Sequence, residues 1–229
     1  MYFGDPTFFL LIPTLLLAFY AQNRVRTTYA RFARVQAASR MTGAEAARSL
    51  LNTGGAGGVA IEKISGNLTD HYDPRKKVLR LSAAVHDGNS LAALGIAAHE
   101  AGHALQHAQG YAPLALRTAF FPVANLGSTL AFPLFFAGLI FSRGGPSLLM
   151  DIGILLFSGA VLFSVITLPV EFNASRRAVA LLQERGFLSG QEINGARAVL
   201  SAAALTYIAA TAMAAMQLAR MLMIRSSRD

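Results

Sequence analysis

Two long and almost uncharged segments constrain the fold of this chain more than any other feature of its sequence. Residues 119–141 contain no charged side chain, and residues 147–170 contain only Asp151, near their start. A helix needs about 20 apolar residues to cross a hydrocarbon layer of roughly 30 Å, and both segments reach that length. Residues 142–146, which join them, are too few for anything but a tight connection. We therefore predict a transmembrane hairpin over residues 118–170.

The composition of the whole chain also indicates a membrane protein. Charged residues make up 14% of the chain, whereas soluble domains carry roughly 25%. The net charge of +8 comes mostly from basic residues that flank the apolar segments, as expected for loops on the cytoplasmic side. Basic and aromatic residues do not interleave as they do in nucleic-acid-binding surfaces, so we expect no nucleic-acid partner. Cysteine is absent, so any metal site must use nitrogen and oxygen ligands.

Two further apolar segments lie near the ends of the chain. Residues 1–23 are predicted to form an N-terminal membrane anchor, because they lack the basic start and the cleavage site of a signal peptide. Arginines follow this segment at once, which predicts an outward N-terminus and a cytoplasmic position for what comes next. Residues 198–229 are predicted to form a C-terminal transmembrane helix and tail. A membrane crossing there would place the last arginines outside, against the same charge rule. A helix that does not span the membrane therefore remains an alternative.

The segment between the anchor and the hairpin, residues 24–117, is predicted to be a small α+β unit on the cytoplasmic side. Thr42 and Glu45 form a capping-box pattern that opens a helix, and this helix should end before Gly54. Three short β-forming runs follow and predict a small antiparallel sheet: residues 59–64, 67–72 and 78–81. Such a sheet either covers a neighbouring helix or offers its edge strand to an extended peptide.

A His-Glu-x-x-His pattern, formed by His99, Glu100 and His103, lies in an Ala- and Leu-rich segment. We predict a helix over residues 90–109, with Gly110 as its stop. On a helix His99 and His103 lie one turn apart on the same face, so both imidazoles can bind one metal ion. Glu100 beside them can act as a general base towards water. The alternative is a chance match or a structural histidine pair, because a five-residue pattern is short.

A catalytic zinc site needs a third protein ligand, and His107 continues the four-residue spacing of the first two. However, two helical turns separate His107 from His99, a rise of about 12 Å along a straight helix. The metzincin pattern is absent as well, because Gln106 stands in place of its glycine and Gln109 in place of its third histidine. We therefore expect His107 to make a structural or supporting contact.

Glu171 is the better candidate for the third ligand. It follows the transmembrane hairpin directly, and the return of the hairpin brings it to the same side of the membrane as the histidine pair. Residues 171–197 are predicted to contain a helix that can present this carboxylate. The alternative is that Glu171 only marks the point where the helix meets water.

The remaining polar candidates are less specific. His71 and His86 are predicted to lie in loops or turns, and Asp151 at a membrane boundary. Hydrolysis of a peptide bond also requires a donor for the oxyanion that develops on the substrate. Four side chains could supply it or support the site, and the sequence does not rank them: His71, Tyr72, Arg176 and Tyr207.

Four stretches of the chain resemble the neutral zinc metallopeptidases of the bacterial YugP type. They are the opening Asp5-Pro6-Thr7 and residues 68–75, 97–110 and 168–175. The resemblance extends almost from end to end and is more specific than the histidine motif alone. It implies an integral membrane peptidase that uses zinc.

The chain is more distantly similar to the gluzincin membrane proteases of the HtpX and CAAX-prenyl type. These share a helix with two histidines and a downstream glutamate ligand, which carries over to the histidine pair and Glu171. They often have an aspartate four residues after that glutamate, whereas Ser175 stands there in this chain. Another acid, such as Asp70 or Asp73, would then support a ligating histidine, or the site is tuned differently.

Together these patterns predict a mainly α integral membrane protein, with about four transmembrane helices and a small α+β gluzincin-like metallopeptidase unit. The expected activity is that of a zinc endopeptidase with one Zn2+ per chain. It would span the bacterial cytoplasmic membrane several times, with its site on the cytoplasmic side, and cleave peptides or proteins, membrane proteins included. The alternative is an inactive zinc-binding adaptor or chaperone-like protein. The sequence does not indicate the oligomeric state.

Overall fold

The fold is mainly helical, with a small three-stranded sheet. It is given by a computed structural model, which describes residues 6–142, 145 and 147–228. Asp5 of the N-terminal motif lies outside the described residues, as does most of the connection predicted within residues 142–146.

Four helical segments are long and apolar enough to cross a membrane. The first is a 3-10 helix, Pro6–Leu11, that continues into α1, Ile12–Phe32. The others are α5, Ala112–Phe141, α6, Leu148–Glu184, and α7, Glu192–Ser226. The last apolar segment of the chain therefore has the length of a membrane span. Helix α6 continues through Pro169 up to Glu184, and Gly186 follows with a positive φ of 69°.

Helix α2, Gly43–Thr53, begins and ends as its sequence predicts. The Thr42 side chain accepts a hydrogen bond from the amide of Glu45 at 3.2 Å, and the Glu45 carboxylate accepts one from the amide of Thr42 at 2.8 Å. These hydrogen bonds hold the pKa of Glu45 below its ordinary value. Gly54 caps the C-terminus. The predicted capping box is thus confirmed.

The sheet contains β1, Ala60–Ile64, β2, His71–Asp73, and β3, Val78–Ser82. Its order is β1-β3-β2, with β2 antiparallel to β3 but β1 parallel to it. The prediction of a purely antiparallel sheet was therefore wrong. Strand β3 is central and is buried along most of its length, while β1 pairs on its far side. Short apolar runs indicate that strands exist but do not encode which neighbour each one pairs with.

One of the two compact units contains Met1–Ala21, Leu116–Leu168 and Thr206–Asp229. Two polar contacts in this unit join helix ends. Arg225 near the end of α7 donates to Asp151 at the start of α6 at 2.7 Å, and Arg228 donates to the carbonyl of Leu139 near the end of α5 at 2.9 Å. The C-terminal end of α7 therefore lies beside the connected ends of α5 and α6.

The other unit contains Gln22–Ala115 and Pro169–Leu205, and α4, Leu91–Ala108, lies in its core. This helix begins at the N-cap Ser90, whose hydroxyl accepts the amide of Ala93 at 3.1 Å. Gly110 follows its end with a φ of 62°. The predicted helix is confirmed. Short helix α3, Ala83–His86, precedes it, so His86 ends a helix and does not lie in a loop as predicted.

Candidate metal centre

Helices α4 and α6 bring two histidines and one glutamate together. The Oε2 atom of Glu171 lies 3.3 Å from Nε2 of His99 and 3.5 Å from Nε2 of His103. One ligand atom from each of the three side chains lies within 4.8 Å of the others. Glu171 is only 2% exposed and the histidine side chains 13% and 11%. Within the described residues, this is the one cluster of three or more such side chains that could hold a metal ion.

A glycine in the histidine motif allows the two helices to come this close. A Cβ atom built on Gly102 would lie 3.0 Å from the carbonyl oxygen of Ala174 and 3.4 Å from its Cα. Any larger side chain at position 102 would therefore press on the backbone of α6. Glu171 lies about one turn before Ala174 on that helix, so the absence of a side chain on Gly102 lets its carboxylate reach the histidine pair.

The histidine rings are held through their other nitrogen atoms. Nδ1 of His99 lies 3.1 Å from the hydroxyl of Ser175, and Nδ1 of His103 lies 3.0 Å from Oε1 of Gln106. In both rings Nε2 is the atom that faces Glu171. This arrangement leaves two imidazole nitrogens and a carboxylate oxygen pointing towards one another.

The charges around His103 favour a positive charge in this cluster. Burial lowers the pKa of His103, but the hydrogen bond to Glu171 and the negative charges of Glu100 and Glu171 outweigh it, so the pKa lies above its ordinary value. Two imidazoles and one carboxylate are also a donor set that zinc takes in catalytic sites. The residues present therefore fit a zinc ion.

Glu100 lies beside the cluster but is not one of its three members. It follows His99 on α4 and is half-buried, so water can reach it. Its position is suited to proton transfer at the edge of the cluster rather than to ligation.

Of the other predicted residues, Tyr72 and His107 lie together. The Tyr72 hydroxyl is 2.8 Å from Nδ1 of His107, and the two rings are 5.9 Å apart. Burial raises the pKa of Tyr72, with the nearby charge of Asp73 adding to it, so the hydroxyl keeps its proton. This pair connects β2 to the last turn of α4. It supports the prediction that His107 makes a structural contact.

The remaining candidates lie elsewhere or make contacts of their own. His71 lies in strand β2 and not in a loop as predicted. Its Nδ1 is 2.8 Å from the carbonyl oxygen of Thr69. Arg176 is exposed on α6, with its Nε 3.4 Å from the carbonyl of Phe172. Tyr207 belongs to the part of α7 that lies in the other unit.

The two acids expected to support a histidine make other contacts. Asp70 accepts the amide of Ser82 at 2.7 Å, and Asp73 accepts the amides of Arg75 and Lys76 in the turn after β2. Ser175 itself contacts His99, so the serine at the position where an aspartate was considered makes the supporting contact. A hydroxyl there is short and uncharged, yet it comes within hydrogen-bonding distance because the two helices lie so close.

Gln106 is the residue that the sequence analysis missed. Gln106 was considered only because it differs from the glycine of the metzincin pattern. Residues three apart on a helix, such as His103 and Gln106, lie on the same face. That spacing from His103 could have indicated a contact between the two side chains.

Comparisons with known proteins agree with this centre. The family described as "Putative neutral zinc metallopeptidase" matches residues 7–226. The chain is 47% identical over 216 residues to "Putative membrane protease YugP" of Bacillus subtilis (strain 168), which covers 94% of this chain and 95% of that protein. No solved structure matches the chain. The predicted family is confirmed, and the chain belongs to the neutral zinc metallopeptidases.

Proposed function

We propose that this protein is a membrane-embedded, zinc-dependent endopeptidase that hydrolyses peptide bonds in peptide or protein substrates. The observation that carries the proposal is the convergence of His99, His103 and Glu171, with ligand atoms within 4.8 Å of one another and Glu100 beside them. The family to which the chain belongs and the name of its relative agree with this activity.

His99 and His103 would bind one Zn2+ per chain through Nε2, and Glu171 would bind it through its carboxylate. Zinc bound in such a site lowers the pKa of a coordinated water and polarises the carbonyl of the substrate. Three protein ligands leave a position open for water or substrate, which is the arrangement of catalytic rather than structural zinc sites. The two-histidine helix with a downstream glutamate is that of a gluzincin-like unit.

Glu100 is the proposed general base. Its carboxylate takes a proton from the attacking water as the water oxygen bonds to the carbonyl carbon of the scissile peptide. It then returns that proton to the amide nitrogen as the carbon–nitrogen bond breaks, so that an amine and a carboxylic acid leave. The acid then ionises by losing the second proton of the water to solvent. Its partial exposure keeps it accessible to water and substrate.

The oxyanion that develops on the substrate carbonyl needs a further donor. Tyr72 is one candidate, with a hydroxyl that keeps its proton and lies 2.8 Å from Nδ1 of His107. His71, Arg176 and Tyr207 remain alternatives.

The proposed location is the bacterial cytoplasmic membrane, spanned several times, with the metal centre on the cytoplasmic side. Four helices of membrane length support this, together with the relative's description as a membrane protease. The arginines that follow the first apolar segment, from Arg24 onwards, favour the cytoplasmic side for the residues after it. Membrane proteins are therefore the first substrates to test.

The deciding experiment compares the purified wild type with Glu100→Gln. The variant should retain one zinc per chain but lose hydrolysis of casein or of a detergent-solubilised membrane protein, because the amide cannot take a proton. Glu184→Gln, at the exposed end of α6, is the matched control and should cleave like the wild type. Cleavage by Glu100→Gln at the wild-type rate would overturn this mechanism. Zinc binding by the wild type without turnover on any substrate would favour the adaptor function instead.

A further inference from the structure

The side chain of Gln106 is fully buried, and all of its polar atoms have partners. Nε2 donates to the carbonyl oxygen of Val170 at 2.9 Å and to Oδ1 of Asn173 at 2.9 Å. Oε1 lies 3.0 Å from Nδ1 of His103. A single amide on α4 thus contacts a proposed zinc ligand at one end and α6 at the other.

The partners of this amide allow only one orientation. A backbone carbonyl can only accept, so the Gln106 atom that faces Val170 must be the NH2 group. Arg177 gives an independent check, because its guanidinium only donates and lies 2.7 Å from Oδ1 of Asn173. The Asn173 atom is therefore an acceptor, and the Gln106 atom next to it must again be a donor. Exchanging the amide oxygen and nitrogen of Gln106 would oppose acceptor to acceptor at both contacts.

The orientation of Gln106 dictates the tautomer of His103. Oε1 can only accept a hydrogen bond, so Nδ1 of His103 must carry the hydrogen that Oε1 accepts. The other nitrogen, Nε2, faces the carboxylate of Glu171, so any hydrogen there is shared with Glu171, and Nε2 is the ring nitrogen that a metal ion can bind. The hydroxyl of Ser175 imposes no such choice on His99, because a hydroxyl can either donate or accept.

We propose that Gln106 is a positioning residue that keeps the hydrogen of His103 on Nδ1 and thereby leaves Nε2 as the nitrogen that binds zinc. The inference rests on the proposed function, in which His103 is a zinc ligand. Partners of this kind fix the orientation and basicity of ligating histidines, and their removal typically costs about 10- to 100-fold in metal affinity.

The test measures the zinc dissociation constant of the purified full-length protein by competition with a chelator. Gln106→Met, which keeps the length of the side chain but cannot hydrogen bond to His103, should weaken binding about 10- to 100-fold. Gln109→Met is the matched control, since Gln109 is the C-cap of the same helix and contacts Arg177 rather than a ligand. It should bind zinc like the wild type. Equal affinity of Gln106→Met and the wild type would overturn the proposal.

A second measurement separates positioning from a general role in packing. In the metal-free wild type at alkaline pH, where the ring is neutral, nitrogen chemical shifts of 15N-labelled histidine should show His103 as a single Nδ1–H tautomer, with its signal identified by its loss in His103→Ala. In Gln106→Met the same ring should show both tautomers. A mixture in the wild type would contradict the proposal, and this wild-type result does not depend on how well any variant folds.

Asn173→Leu tests the same proposal by a change in α6. It removes one acceptor of Gln106 but leaves the carbonyl of Val170, which still fixes the amide. We expect at most about a threefold loss of zinc affinity, well below the loss for Gln106→Met. Equal losses in the two variants would mean that Gln106 acts only by joining the helices. If the wild type binds no zinc, or if His103→Ala binds it as tightly as the wild type, the proposed function fails rather than this inference.

Discussion

The two units of the molecule differ in where their polar and apolar side chains lie. In the unit that holds the candidate metal centre, hydrogen bonds join buried polar groups, such as the side chain of Gln106 and the main-chain carbonyl of Val170. In the other unit the ion pair between Arg225 and Asp151 joins two helix ends, while side chains such as Leu155 are 71% exposed. The first unit therefore depends on exact donor and acceptor geometry, whereas the second requires mainly apolar surface, which suits contact with lipid.

The largest effect is expected for Glu171→Ala. It removes the carboxylate that approaches both histidines, and two imidazoles alone should hold zinc at least about 100-fold more weakly. Metal analysis of the purified variant beside the wild type measures this. Glu184→Ala, further along the same helix, is the control. Retention of a full equivalent of zinc by Glu171→Ala would contradict the assignment of the third ligand.

Truncating one leucine in each unit tests the difference in packing directly. Leu94 in α4 is fully buried, so Leu94→Ala should lower the free energy of unfolding by about 2–5 kcal/mol. Leu155→Ala in α6 removes a side chain that is 71% exposed, and its cost should stay below about 1 kcal/mol. Thermal unfolding of both variants in the same detergent gives the comparison. Similar losses in the two variants would remove the distinction between the units.

A side chain at position 102 should damage the metal centre through packing alone. Gly102→Leu would push against the carbonyl of Ala174 and cost about 1–3 kcal/mol of stability, with loss of zinc as Glu171 moves away. The control is Gly58→Leu, since a Cβ there meets nothing within 4 Å. Gly102→Leu with wild-type zinc affinity would show that the close approach of α4 and α6 is not required.

The smallest effect concerns the turn after β2, at the surface of the same unit. The amides of Lys76 and Arg75 and the guanidinium of Arg80 hold the pKa of Asp73 below its ordinary value, so the charged form is favoured in the folded state. Its contribution to stability is present above pH of about 4, the pKa in the unfolded chain, and is lost as the pH falls through the lower folded pKa. Asp73→Asn should flatten this part of the melting temperature profile slightly. An unchanged profile would show that the turn contributes nothing measurable.

The sequence predicted the elements whose signals are local. The capping box at Thr42 is confirmed, and so is the helix predicted over residues 90–109, which begins at the N-cap Ser90, because a helix end depends on residues only three positions apart. The pairing of β1 with β3 was missed, since alternation within a strand does not specify its partner. Runs of apolar residues predicted that the membrane-length helices exist, but α6 and α7 extend beyond those runs, to Glu184 and from Glu192.

The residues of the candidate site could be predicted to different degrees, again because patterns within one element are visible in the sequence and contacts between elements are not. His99 and His103 are recognisable because both belong to one helix, and Glu171 became a candidate only through the hairpin that precedes it. The contacts of Ser175 and Gln106 depend on how closely α4 approaches α6, and the sequence does not state that distance. Gly102 was the one local indication of it, since a glycine inside a helix often permits a close approach.

The carbonyl of Val170 has a consequence for how this site can vary among sequences. Because the acceptor belongs to the main chain, any residue that keeps α6 helical at position 170 supplies the same oxygen, and the identity of that side chain matters only for packing. Of the two residues in this hydrogen bond, only the one at position 106 must therefore keep its side chain. A substitution at position 106 cannot be compensated by a substitution at position 170 on α6, whereas position 170 itself can vary among small apolar residues.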